Sequence, residues 1–441
     1  MVDKANLVSK IFFGVFWITA VSPFIGQELV PSVYESISSY ISLLADAVLI
    51  LLGVWLIRSK TDWIMLVSFF VLAFISTYIF NHLSIVYMLN GIRLYIGFLF
   101  VIPILRYFLE NPILRQPFIE KMDKTLYLFL WIQVPCMSYQ CIMYGAYDQV
   151  GGSLGWMMSG VITTLIYLIS LYLMLKRWDT QKSYFKNLYD NWVLVFLLFP
   201  SFLNETKISF VFLAMYFFFL IPMDKKFVKR LVYILPVIFI ALVGALYLYY
   251  TATGSDDDII SEDYISFYLH GDEDSLNLVE LAFEGDAMDT VEEQGNDFAR
   301  GLKLAVIPWM FQTKDYATLF GFGVSQFKGG TMVERTEFYK EYEWILKGTE
   351  LQLQAWLLDM GVLGLMWSIF FWVVSFKLFK KCKRHYQIQV YMLIVVILTS
   401  IYNNCFTILQ FCVIFLYLTM LSSDRKDIEK RVQENLESKN I

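Results

Sequence analysis

Histidine is nearly absent from this chain, with three residues in 441, His82, His270 and His385. They are too scattered to build a metal site, which needs several ligands converging on one ion. Cysteine is also scarce. Cys136, Cys141, Cys405 and Cys412 stand in apolar runs, Cys382 stands in a basic loop, and none falls in the long hydrophilic segment. That placement excludes a disulfide framework and points to buried, unreactive thiols. No small-x-small cleavage site follows the first apolar run, so that run is expected to stay in place. The one G-x-G, Gly321-Phe322-Gly323, lacks the strand–turn–helix context of a nucleotide fold. No internal repeat relates the two halves, and no paired Gly/Pro-broken spans occur, which counts against a transporter.

What the chain has in abundance is apolar surface. Residues of the AVILMFWYC set make up 58% and aromatics 18%, while charged residues are only 17%. A soluble domain has ~45–50% apolar residues. A membrane span needs ~20 mostly apolar residues. About twelve candidates are legible, at 11–26, 37–57, 62–80, 87–108, 124–145, 153–175, 190–203, 205–222, 229–250, 352–378, 386–403 and 405–421. Continuous apolar runs of this kind satisfy their backbone in lipid as helices. The fold expected is therefore an all-α polytopic membrane protein with one large, partly helical outer loop. It divides into 1–250 with nine spans, 251–349 as the loop, 350–421 with three spans, and 422–441 as a tail.

Lys and Arg set the orientation. They gather near the N-terminus (Lys4, Lys10), at 58–60, 106–124, 176–186, 225–230 and 377–384, and in the tail from Arg425 onward. These are alternate loops, so both termini are expected in the cytoplasm and the acidic segment 251–349 outside. The short outer loops otherwise lack Lys and Arg, which makes two exceptions informative. Lys207 stands at the outer start of the eighth span, within "NETKIS". Arg93 lies about six residues inside the fourth span, ~9 Å below the outer interface. An arginine there costs ~2.5–3.5 kcal/mol on insertion scales and suggests function. One reading pairs Arg93 with Asp46 or lets it snorkel to the headgroups. The other builds a cationic pocket from Arg93 and Lys207 for an anionic, lipid-linked ligand.

The loop has two halves. Residues 254–299 are densely acidic, with amphipathic pieces such as "DSLNLVELAFEGDAM"; "SDDDIISED" lacks the spacing and glycine of an EF-hand. In the second half, Arg300, Lys303 and Trp309 open an amphipathic helix. The glycine-broken turn "LFGFGVSQF" follows, and then Glu350 and "LQLQAWLLDMGVLGL" leading into the tenth span. This order resembles that of bacterial O-antigen polymerases and O-antigen ligases. Those proteins have a late outer loop with an arginine-bearing helix, a GxGxxxF-like turn, then a polar residue and an apolar helix with an acidic-x-Gly-x-x-Gly step. Here Asp359, Gly361 and Gly364 take those last positions. "NETKIS" looks like the family's Ser-Arg-Gly step, with Thr206 and Lys207 in place of Ser and Arg. Ligases begin the helix after the turn with histidine; here Glu350 occupies that position, which favours a polymerase.

The resemblance implies a GT-C-like arrangement in the bacterial inner membrane, with the loop periplasmic. It implies a glycosyltransferase that polymerises oligosaccharide repeat units linked to undecaprenyl pyrophosphate. A hydroxyl of an incoming lipid-linked unit attacks C1 of the growing glycan, and undecaprenyl pyrophosphate leaves. The expected catalytic residues are Glu350 as general base, and Arg300 and Lys207 as cations at the leaving pyrophosphate. Arg93, Asn204, Glu205, Lys303 and Arg335 are expected to bind substrate. Neither cofactor nor metal is expected, and no nucleic acid; the partners are the lipid-linked oligosaccharide, membrane lipid and a candidate chain-length regulator. Trp309, Tyr316, Tyr339, Tyr342 and Trp344 offer stacking faces for sugars or, more plainly, interfacial anchors. Glu350 can also simply cap the helix that follows it. The alternatives are an O-antigen ligase, a lipid-linked oligosaccharide flippase or other transporter, and a non-catalytic membrane scaffold. The tail is expected to be a cytoplasmic helix capped near Ser422 or Ser423.

Overall fold

The computed structural model describes residues 2–146, 149–204, 206, 208–221, 227–253, 300–324, 326–327, 333–346, 350–377 and 386–421. The acidic half of the loop, Glu205, Lys207, Cys382, His270, His385 and the tail lie outside these residues.

The architecture is a helical bundle. Its first helices are α1 (Val2–Phe24), α2 (Pro31–Leu56), α3 (Lys60–Phe74), α4 (Ile85–Ile92), α5 (Ile96–Leu109), α6 (Pro112–Tyr144) and α7 (Ser159–Arg177). Shorter helices follow, α8 (Tyr184–Asp190), α9 (Trp192–Phe196) and α10 (Ile208–Phe219), and then the long α11 (Phe227–Thr253). Among the described residues, eight helices are long and apolar enough to cross a membrane: Asp3–Leu29, Pro31–Leu56, Lys60–Phe80, Ile85–Leu109, Pro112–Tyr144, Ser159–Arg177, Lys229–Leu248 and Gln352–Ser375. The remaining apolar runs form shorter helices at Trp192–Phe202, Ile208–Phe219, Gln387–Tyr402 and Leu409–Leu421.

Local chemistry starts several of these helices. Ser59 accepts a hydrogen bond from the Thr61 amide, and Asn111 from the Ile113 amide, each satisfying an orphan donor at a helix start. Pro31 and Pro112 occupy first-turn positions, where a missing N–H costs nothing. The most buried span is α7, with 89% of its apolar stretch buried, and Leu409–Leu421 packs against both α7 and α5. At the other extreme only 11% of the apolar stretch of α11 is buried, and Val232, Tyr233, Phe239, Ile240 and Tyr247 are presented outward. A helix apolar on its outer face suits hydrocarbon rather than water.

The second half of the loop forms a small helical unit. It comprises α12 (Arg300–Ala305), α13 (Ile307–Gln312), α14 (Ala317–Phe320) and α15 (Glu337–Leu346). The expected amphipathic helix is thus two short helices, with Pro308 in the first turn of the second. Leu302, Val306, Ile307, Met310, Phe322 and Tyr342 make a core of their own that reaches Leu358 of the next helix. That helix is α16 (Gln352–Lys377), followed by α17 (Tyr386–Tyr402) and α18 (Leu409–Leu421).

Two spans are irregular where this unit docks. α3 ends in a π-helical turn, Ile75–Phe80, which buries the side chains of Ser76 and Thr77. α16 is broken at Gly361, which has φ 65° and ψ −160°. Only glycine adopts that backbone conformation readily.

Candidate functional site

The break in α16 frees the carbonyls of Leu358 and Asp359. The loop turn supplies their partners. The Phe322 amide donates to Leu358 O at 2.7 Å and the Gly323 amide to Asp359 O at 3.1 Å. Ser76 Oγ lies within donating distance of both Asp359 O, 2.8 Å, and Phe320 O, 2.5 Å. Thr77 Oγ1 accepts from the Val324 amide at 3.0 Å. Gly321 and Gly361 both have positive φ and meet backbone to backbone. A Cβ on Gly321 would stand 2.6 Å from the Gly361 nitrogen, and one on Gly361 2.7 Å from the Gly321 nitrogen. The two glycine motifs singled out in the sequence are therefore one joint between loop and bundle.

Asn81 locks this joint with all its capacity. Its amide donates to Ser76 O at 2.9 Å and Gly321 O at 3.1 Å. Its carbonyl accepts from Lys314 Nζ at 3.1 Å and Tyr316 Oη at 3.2 Å. The Lys314 ammonium also lies 4.6 Å over the Phe338 ring, a favourable arrangement for a cation. Burial lowers the pKa of Lys314, and the charge of Glu341 opposes that shift.

Glu350 stands just before α16 and is partly exposed. Asn404, between α17 and α18, donates to its carboxylate through Nδ2. Below it, Tyr95 donates to the Asp359 carboxylate at 2.6 Å, both residues being 1% exposed. Tyr95 is held there by Trp356 and Phe69, with ring centres at 4.9 and 5.2 Å. Toward the loop lies Tyr339 on α15. Burial raises its pKa first; the Glu343 charge adds to this, Arg335 opposes it, and Glu350 contributes a smaller push upward. Glu350 is thus within electrostatic reach of the Arg335–Tyr339–Glu343 group. Arg335 pairs with Glu343 and lies 5.0 Å over the Tyr339 ring.

A second polar corner adjoins this one through α7. Asn204 is 1% exposed and donates to Thr163 Oγ1 at 3.0 Å and Ser159 O at 3.4 Å. Its carbonyl accepts from the Thr206 amide at 3.2 Å. Gly160, on the same turn of α7, packs so closely on Asn403 that a Cβ would meet Nδ2 at 2.8 Å. Asn204 and Asn403 therefore both meet the first turn of α7, and Asn404, next in sequence to Asn403, carries the contact on to Glu350.

The other expected site residues lie as follows. Arg93 sits in a 3-10 turn between α4 and α5; it pairs with Asp46 at 2.9 Å and donates to Ser42 Oγ at 3.3 Å. The Asp46 pairing is the first of the two readings of Arg93. Lys303 is buried at 2% exposure within the loop unit. Arg300 opens α12, and Lys207 and Glu205 lie outside the described residues. Trp309 is exposed, Tyr316 is partly exposed and Tyr342 is buried in the loop core. Sequence reasoning did not find Asn81, Lys314 or Asn404. Among the described residues no group of three or more His, Cys, Asp or Glu could hold a metal ion. No family model matches the chain, and no curated protein matches it.

Proposed function

We propose that this chain is a glycosyltransferase of the bacterial inner membrane that polymerises lipid-pyrophosphate-linked oligosaccharide units at the outer face. The carrying observation is the position of Glu350. It is a partly exposed carboxylate, hydrogen-bonded by a buried amide, where the loop unit meets the apolar bundle. A substrate with a lipid tail and a polar glycan needs such a boundary. The tail lies against apolar helices while the sugars lie under the loop.

In this reading Glu350 takes the proton from the attacking hydroxyl as it bonds to C1 of the growing glycan. General-base help of this kind is worth roughly 10²–10⁴ in rate. The C1–O bond to undecaprenyl pyrophosphate breaks, and Lys207 and Arg300 stabilise the charge that develops there. Arg335 and Tyr339 flank the sugar path. Asn204 holds the segment that carries Lys207, through its contacts with α7.

The decisive experiment is reconstitution of the purified chain with lipid-linked repeat units. A ladder of polymer should form without nucleotide sugar. No polymer from competent units would overturn the reading. In cells, deletion should leave single repeat units on the lipid acceptor. A ligase would instead leave polymer on the carrier lipid and a bare acceptor, and a flippase would leave neither at the surface.

A further inference from the structure

Two short stretches at the loop end of the bundle run side by side, and the later one donates two hydrogen bonds to side chains of the earlier one. Asn404 Nδ2 donates to Glu350 Oε2. The Phe406 amide donates to Gln352 Oε1 across 3.3 Å. Asn404 is 6% exposed. Its own backbone is fixed, because its amide donates to Asn403 Oδ1 at 2.7 Å and its carbonyl accepts from Thr407 Oγ1 at 2.9 Å. The 3-10 turn Cys405–Thr407 that follows is buried at Cys405 and Phe406. The Asn404 amide thus stands on a rigid support beside a carboxylate that precedes its helix.

Chemistry settles which way that amide faces. Only its NH₂ can donate to a carboxylate, so Oδ1 points elsewhere. Oδ1 is buried and has no hydrogen-bond partner. A buried carbonyl without a partner is unfavourable. What the arrangement secures is the hydrogen bond to Glu350.

We infer that Asn404 is a positioning residue, which fixes the plane of the Glu350 carboxylate and so the direction from which it meets the reacting hydroxyl. This rests on Glu350 being the general base. A hydrogen bond to one carboxylate oxygen sets where the other points. Small misplacements of a reacting group are expensive in rate.

The test is a double-mutant cycle on the reconstituted full chain, with kcat and KM measured for lipid-linked repeat units. Asn404→Leu removes the donor and the unpaired carbonyl together, so the protein should accumulate normally. Its kcat should fall about ten- to a hundredfold. KM should stay within about twofold, because the interaction acts on the way to the transition state. In a Glu350→Gln background the same change should alter kcat less than about twofold, since a residue acting through another has nothing left to act on. Equal losses in both backgrounds, or no loss in the wild-type background, overturn the positioning role and leave Glu350 as base. Wild-type turnover by Glu350→Gln overturns the base and this inference with it. If Asn404→Leu fails to accumulate, Asn404→Ser, too short to reach Glu350, takes its place. Failure of both to accumulate makes Asn404 a folding residue and ends the proposal.

Discussion

Lys207 carries the sharpest single-residue prediction. Removing one cation from a preorganised anion site costs on the order of 10²–10³ in rate. Lys207→Ala should therefore abolish most polymer at normal protein abundance, and Lys207→Arg should keep substantial activity. Normal polymer from Lys207→Ala would reduce the residue to a turn position. Arg93 behaves differently, because its partner is visible. With the pair at 2.9 Å and both side chains partly exposed, Arg93→Ala leaves Asp46 without its main cation, which should destabilise the fold by less than the cost of breaking a fully buried pair. Its signature should be lost abundance on a membrane immunoblot. Replacing both residues by leucine should restore abundance, because no charge is then stranded. Unchanged abundance of Arg93→Ala would remove the structural role. This pair was one of the two readings the sequence offered for Arg93, since Asp46 and Arg93 both lie in the outer part of their spans. Asn404 was not, because Glu350 lies 54 residues away in the chain and the amide has no charge to draw attention in an apolar run.

At the scale of elements, the joint between the loop turn and the broken helix governs stability. A Cβ on Gly361 would stand 2.5 Å from the Leu319 carbonyl, and its φ of 65° is unfavourable for any other residue. Gly361→Ala should cost at least ~1–3 kcal/mol from the backbone alone, read as a lower unfolding temperature in detergent. Gly14→Ala is the control, since nothing lies within 4 Å of its Cβ position. If the two variants melt alike, the joint does not carry stability. Asn81→Ala strands several partners at once, each worth ~1–3 kcal/mol if buried. It should expose the loop unit to protease while leaving the spans protected. The sequence announced the glycines of this joint but not the joint. Hydropathy reads 62–80 and 352–378 as continuous spans, because a π-turn and a one-residue break leave the apolar content unchanged. The break exists only because a distant turn supplies its hydrogen bonds. Lys314 and Asn81 meet across 233 residues of sequence, beyond the reach of any local pattern.

For the whole molecule, the long helices were readable from hydropathy alone, since lipid rewards length and apolar composition rather than specific contacts. The orientation rests on Lys and Arg, and a labelling experiment decides it. Glu334→Cys, at an exposed site in the loop unit, should react with a membrane-impermeant thiol reagent in intact cells; Lys182→Cys, exposed at the opposite end, should not. Labelling of position 182 from outside would invert the orientation and move Glu350 to the cytoplasmic face. The joint also has a consequence for how the protein is made. Ribosomes deliver residues 317–324 before α16, so the donors for Leu358 and Asp359 exist before those carbonyls do. A helix with such a break enters hydrocarbon with two acceptors unpaired, which lipid cannot satisfy. The loop turn is then an assembly partner already waiting for α16. A chain lacking residues 300–324 should stall with that span half-inserted, a target for membrane quality-control proteases, even though every apolar run remains intact.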